Sequence, residues 1–180
     1  MSIARIIRAA ALRAVPWKNG GGTTREIAVH PPGAGMDDFL WRLSMARVDA
    51  AGPFSRFEGT DRVLAVLEGA LRLSGPDWSV ELSADSPPFA FDGAAPVMGA
   101  PLTGTMLDLN AMARRGRCTI HMARLRAGEM AACAGTSIVL ALEPQQLAGE
   151  ALGRLDCALL SAPVVMGGAG IAIGFADEVD

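Results

Sequence analysis

Glu58-Gly59-Thr60-Asp61-Arg62-Val63-Leu64-Ala65-Val66-Leu67-Glu68 and, further along the chain, Ala134-Gly135-Thr136-Ser137-Ile138-Val139-Leu140-Ala141-Leu142-Glu143 align with one gap. Each enters through a glycine turn, runs through an apolar stretch of strand length and closes on glutamate. The pair therefore reads as one β-strand with its entry turn, present twice. Two copies of a small β-barrel unit follow, because closing each copy on itself removes exposed sheet edges. The copies differ where the first carries Asp61-Arg62 and the second only Ser137. A site, if the chain has one, belongs to the first copy.

The flanking sequence agrees with an all-β fold. Twenty-one glycines and eleven prolines punctuate short apolar segments, the signature of many strands and tight turns. Strands are expected at Thr23 to Val29, Leu40 to Val48, Val63 to Leu67, Leu71 to Ser74, Cys118 to Leu125, Ser137 to Leu142, Arg154 to Leu160 and Gly170 to Phe175. Met1 to Val15 reads as a first strand or edge segment, with a basic amphipathic helix as the alternative. Asp108 to Arg115 reads as a short helical turn capped by Asp108 or Asn110, and Pro144 to Ala151 as a second short helix. The 180 residues form one compact unit, with an N-terminal half of about 1–115 and a C-terminal half of about 116–180 that are free to exchange strands.

Composition narrows the function classes. A 180-residue chain that is 51% hydrophobic buries a core without staples. A net charge of −3, with no basic run interleaved with aromatics, argues against nucleic acid. Arg5, Arg8 and Arg13 interrupt the N-terminal apolar residues below the length of a signal peptide or membrane span. Cys118, Cys133 and Cys157 are odd in number and widely spaced, which suits buried thiols in a reducing cytoplasm. His30 and His121 lie far apart and neither is in a His-x-His pair, so both read as structural and no metal is expected. No Gly-x-Ser-x-Gly elbow points to a nucleophilic triad.

The densest polar stretch is Pro16-Trp17-Lys18-Asn19-Gly20-Gly21-Gly22-Thr23-Thr24-Arg25-Glu26. Its glycines suit either a tight turn or a close approach of backbone N–H groups to a ligand. Lys18 is the only lysine beside fifteen arginines; it is either a solvated surface group or a partner for a carboxylate. Period-two alternation puts Arg42 on one face with Ser44, Ala46 and Val48, and Arg62 on one face with Leu64 and Val66. An arginine on an apolar face is paired internally, here by Asp61, Glu26 or Glu68, or it clamps a ligand carboxylate, or both. Asn110 caps its turn or lies at the mouth of the first barrel, and Asp92 in Phe91-Asp92-Gly93 holds a turn.

Four segments together carry a resemblance: Pro16 to Ile27, Trp41 to Ala46 (Trp-Arg-Leu-Ser-Met-Ala), Gly52 to Arg62 (Gly-Pro-Phe-Ser-Arg-Phe-Glu-Gly-Thr-Asp-Arg) and Asp108 to Arg115. In these the chain resembles the HutD/Ves family of bacterial proteins. The resemblance implies a bicupin, an association with histidine utilisation or, in the Ves branch, with a cold or stress response, and no metal or other cofactor. It implies a pocket in the N-terminal barrel lined by Trp17, Lys18, Asn19, Arg25, Arg42, Asp61, Arg62 and Asn110, and a small anionic ligand such as urocanate or N-formylglutamate. A homodimer is compatible with it, cupins often being dimeric. The alternative function is a metal-independent isomerase or lyase with Lys18 or Asp61 as acid or base; a regulatory partner of a pathway protein is the third.

Overall fold

The computed structural model describes residues 2–132 and 135–177. Cys133, and Ala134 at the head of the second duplicated stretch, lie outside the described residues. The chain opens with Ile3–Ile7 (β1), Ala14–Pro16 (β2), Gly22–His30 (β3), Trp41–Val48 (β4), Gly52–Pro53 (β5), Thr60–Glu68 (β6) and Ala70–Ser74 (β7). Ser79–Ser83 (β8), Phe89–Asp92 (β9), Met98–Pro101 (β10) and Met106–Arg114 (β11) follow. Cys118–Leu125 (β12), Met130–Ala131 (β13), Thr136–Ala141 (β14), Gln145–Leu147 (β15), Glu150–Leu152 (β16), Cys157–Leu160 (β17), Val164–Val165 (β18) and Gly170–Asp177 (β19) complete it. Among the described residues the only helical element is a 3-10 turn at Ala9–Ala11, and no helix is long and apolar enough to cross a membrane.

Two expected helices are strands. Asp108 to Arg115 lies almost wholly within β11, paired along its length with β4 and β6. Its Ala, Met and Arg residues favour helix locally, but the centre of a sheet overrides that weak preference. Pro144 to Ala151 is the β15–β16 hairpin, with Ala148 and Gly149 at positive φ forming its turn.

Residues Arg13–Arg115 form one compact unit; residues up to Leu12 together with those from Gly116 onward form the other. In the first, a six-stranded sheet of order β2-β3-β4-β11-β6-β9 faces a four-stranded sheet of order β5-β10-β7-β8. Val48, Leu64, Val66 and Met106 from one sheet and Leu71, Leu73 and Leu82 from the other make the core between them. The second unit has a five-stranded sheet of order β1-β17-β14-β19-β12 and the pairs β13-β18 and β15-β16, around Ala131, Val139, Ala141, Leu147, Leu152, Ala158, Val164 and Met166.

The duplication extends well beyond the strand that revealed it. The order β4-β11-β6-β9 in the first unit recurs as β12-β19-β14-β17 in the second, with β5-β10 matched by β13-β18 and β7-β8 by β15-β16. Eight consecutive strands are thus repeated in the same order. The units differ at their edges: β2 and β3 extend the first sheet beyond β4, and β1 extends the second beyond β17.

Candidate functional site

Strand register sets out the inner face of the six-stranded sheet in rows. One row holds Arg42, Met112, Arg62 and Phe91; the next Glu26, Ser44, Asn110 and Leu64; the third Val15, Thr24, Ala46, Asp108 and Val66. Most of these side chains line a cavity of about 820 Å³ that is partly open to solvent, with Trp17, Phe54 and Phe57 also in its wall. Four cationic side chains (Arg13, Lys18, Arg42, Arg62) line it against two acidic ones (Glu26, Asp108).

Arg62 is 5% exposed. Its guanidinium carbon lies 5.3 Å from the centroid of Phe54, 5.7 Å from Phe57 and 5.0 Å from Phe91, within cation–π range of all three rings. Nε donates to Asn110 Oδ1 at 3.4 Å and Nη1 to the Ser55 carbonyl at 3.1 Å. Neither acceptor carries a full charge, and no acceptor among the described residues takes Nη2. Burial pulls the guanidinium down to about 10, Asp108 opposing and Arg42 adding to the shift, so it stays charged at neutral pH. Gly99 makes room for the Phe54 wall, since a Cβ there would run into the ring.

Asp108 is 1% exposed, and among the described residues its Oδ1 is the buried side-chain atom without a hydrogen-bond partner. Burial pushes its carboxyl up to about 7, against the pull of Arg62 and of the Ala46 backbone N–H. An unpaired buried polar atom costs about 1–3 kcal/mol, so this position is not there for stability.

The cavity brings together six of the eight expected residues: Trp17, Lys18, Asn19, Arg42, Arg62 and Asn110. Trp17 Nε1 donates to Thr24 Oγ1 at 2.8 Å, and Asn19 Oδ1 accepts from the Gly21 N–H at 3.0 Å, so both shape the turn that edges the cavity. Gly22 is required there, because a Cβ would overlap the Arg47 carbonyl. Lys18 is exposed on the rim. Arg42 is held by Glu26 Oε2 at 2.9 Å.

The remaining two lie elsewhere. Arg25 is exposed and outside the cavity lining, one residue out of phase with Thr24 and Glu26. Asp61 is out of phase with Arg62 and accepts from Arg115, whose Nη2 also reaches Asp92 at 2.9 Å. None of Asp61, Glu26 and Glu68 is bonded to Arg62, whose hydrogen bonds go to Asn110 and Ser55. Asn110 caps nothing; it is a mid-strand residue that receives Arg62. Asp92 holds its turn by accepting from the Ala94 N–H at 2.9 Å, and His30 stacks on Trp41.

The sequence reading missed Asp108 and the phenyl walls. Asp108 was detectable from the alternation of Met106, Asp108, Asn110 and Met112, which places two polar residues on one strand face. Phe54 and Phe57 come from a loop tied down by Phe54 N–H to the Val97 carbonyl and Phe57 N–H to the Gly93 carbonyl, both at 2.8 Å. Such non-local ties leave no periodic trace.

A two-sheet unit with a ligand-sized cavity opening between Arg-bearing strands defines a cupin-fold protein, and the chain superposes at TM-score 0.60 on a cupin 2 conserved barrel domain protein from Leptotrichia buccalis. That match has 10% identity and covers 99% of this chain and 98% of the other, so it speaks to fold alone. The HutD family model matches residues 9–170, and the chain belongs to the HutD family. The structure of HutD from Pseudomonas fluorescens SBW25 (formate condition) aligns at TM-score 0.87 with 30% identity, covering 97% of this chain and 99% of that one. A Protein Ves from Citrobacter koseri is 41% identical over 104 residues, 57% of this chain and 53% of that protein. An uncharacterized 21.2 kDa protein in the hutC 3′ region of Pseudomonas putida is 40% identical over 113 residues, 61% of this chain and 58% of that protein. The matched stretch thus spans little more than half the length of these curated relatives.

The cavity's donor set does not fit the metal that typical cupins hold with a His-x-His motif. No histidine or cysteine lines it, Glu26 is engaged by Arg42, and Asp108 lies beside Arg62. No group of three His, Cys, Asp or Glu suited to a metal ion occurs among the described residues.

Proposed function

We propose that this protein binds a small carboxylate metabolite in its N-terminal barrel, as a sensor or buffer in histidine utilisation, with urocanate and N-formylglutamate as the candidate ligands. The observation that carries the reading is Arg62: a charged guanidinium, walled by three phenyl rings, bonded only to neutral acceptors and facing a cavity with donors to spare. A planar fork in a desolvated pocket favours a carboxylate. The excess of cationic over acidic lining residues supports an anion, and the relative in the hutC 3′ region supports the pathway. The formate condition named for the Pseudomonas fluorescens HutD structure suggests the smallest carboxylate as a probe.

Thermal-shift titration tests it. A ligand at about a hundred times its Kd adds roughly 2.7 kcal/mol, which raises the melting temperature by several degrees, and Arg62→Met should abolish the rise. No shift with urocanate, N-formylglutamate or formate at tens of millimolar overturns the reading.

A second reading, metal-independent proton transfer as in an isomerase or lyase, is favoured by one observation: Asp108 titrates near neutrality inside the cavity, whereas Asp61 is engaged by Arg115. Turnover of either metabolite that disappears in Asp108→Asn would establish it; unchanged metabolites after prolonged incubation would exclude it for these substrates.

A further inference from the structure

Arg62 is not the only cavity-lining group with unused hydrogen-bonding capacity. Asp108 lies near enough to Arg62 for each to shift the other's titration, and its Oδ1 is buried and unpartnered among the described residues, one row from the Asn110 that receives Arg62 Nε. Asp108 and Asn110 are alternate residues on one face of β11, about 7 Å apart along the strand. Arg62, with an unused guanidinium donor, and Asp108, with an unused carboxyl acceptor, thus both line the same cavity. Around Asp108 the same row holds Thr24, Ala46, Val15 and Val66. The Ala46 N–H acts on the carboxyl, and the Thr24 hydroxyl, which accepts from Trp17, keeps its own hydrogen to donate, yet Oδ1 is left without a hydrogen-bond partner.

We infer that the ligand is a carboxylate that also carries an N–H donor, amide or azole, with its carboxylate on Arg62 and its N–H on Asp108 Oδ1. The inference rests on the carboxylate reading and adds a second point of recognition. It makes specificity asymmetric: a carboxylate without the N–H leaves Asp108 buried and unpaired in the complex, the costly case in polar recognition. Either protonation state of Asp108 presents an acceptor oxygen, and accepting an N–H favours the charged form.

Two matched pairs of acids test it by isothermal titration calorimetry on the full chain. Urocanate is compared with 3-(2-furyl)acrylate, which has a ring oxygen and no N–H, and N-formylglutamate with glutarate, which lacks the formamide. In the wild type the N–H member of a pair that binds should bind at least about tenfold more tightly. In Asp108→Leu that ratio should collapse to within about twofold, the removal of an unpaired buried polar group leaving the barrel intact. Arg62→Met should weaken both members together. Equal affinity for both members in the wild type, lost in Arg62→Met, overturns the role of Asp108 and leaves the carboxylate reading standing. If no member of either pair binds, the carboxylate reading falls and this inference with it. Should Asp108→Leu unfold, the wild-type ratios alone decide.

Discussion

Asp108 carries the sharpest pH signature of any residue here. Its carboxyl titrates near 7 in the folded chain because burial outweighs the attraction of Arg62 and the Ala46 N–H, whereas an unfolded aspartate titrates near 4. Below about pH 4 both states are protonated and the folded state keeps its full stability. Between about 4 and 7 the unfolded chain gives up its proton first, so stability falls; above 7 the loss is complete. Asp49, Asp92 and Asp156 are shifted the other way, so their contributions change below this window. The ligand-free protein should thus lose on the order of 2–4 kcal/mol between pH 4.5 and 7.5, and Asp108→Leu should flatten that decline. Urea unfolding across this range is the measurement, and a wild-type curve that rises with pH would refute the assignment. Arg62 was legible in the sequence because a charge in an otherwise apolar period-two run stands out. The alternation that exposes Asp108 was there as well, but it was masked because Asp-Leu-Asn-Ala-Met-Ala-Arg-Arg also satisfies the pattern of a capped helical turn.

Among elements, the repeated strands explain why the site occurs once. Register equates Arg62 on β6 with Ser137 on β14, because these pair with Met112 and Gly174 on the matching strands β11 and β19. By the same pairing Asn110 corresponds to Ala172 and Asp108 to Gly170, while Ser44 on β4 corresponds to Ala123 on β12. At these four positions the second copy has small side chains, while Arg42 is matched by His121. The Arg62/Ser137 difference was readable from the aligned stretches, but the other three depend on pairing between strands distant in sequence. β8 and β10 also escaped the sequence reading, and of β9 only the end at Phe91-Asp92 was read. The four-stranded sheet contributes to the site through β10, where Gly99 accommodates the Phe54 ring. In Gly99→Ala that ring must move and one wall of the Arg62 pocket moves with it. The expected result is a modest loss of stability, about 1 kcal/mol, with carboxylate affinity down by about tenfold or more. A calorimetric affinity equal to wild type would show that the Phe54 wall is dispensable.

For the molecule as a whole, the chain builds its two units out of sequence order. β1 belongs with the strands beyond Gly116, although the duplicated sequence begins after it. Ile3, Ile6 and Ile7 pair with Leu160, Ala158 and Cys157 on β17, and Ile3 and Ile6 pack against the core of that unit. The connection is reinforced where Arg8 Nη1 meets Asp156 Oδ2 at 2.7 Å and the Ala9 N–H donates to Asp156 Oδ1 at 2.9 Å. This segment looked like a strand in the sequence, but its partner was unreadable because an edge pairing some 150 residues away leaves no local pattern. Deleting residues 2–10 should uncover the edge of β17 and remove three isoleucines, Ile7 buried and Ile3 and Ile6 half-buried, where a fully buried one contributes about 1.5–3 kcal/mol. Hydrogen exchange should then speed up across Cys157–Leu160 and β14, its other neighbour, by a hundredfold or more. Every residue lining the cavity lies between Arg13 and Met112, so carboxylate affinity at Arg62 should stay within about twofold of wild type. Loss of affinity with unchanged exchange at β17 would reverse the assignment, making the N-terminal segment part of the binding unit; faster exchange with affinity retained would show that the site is self-sufficient in the first copy.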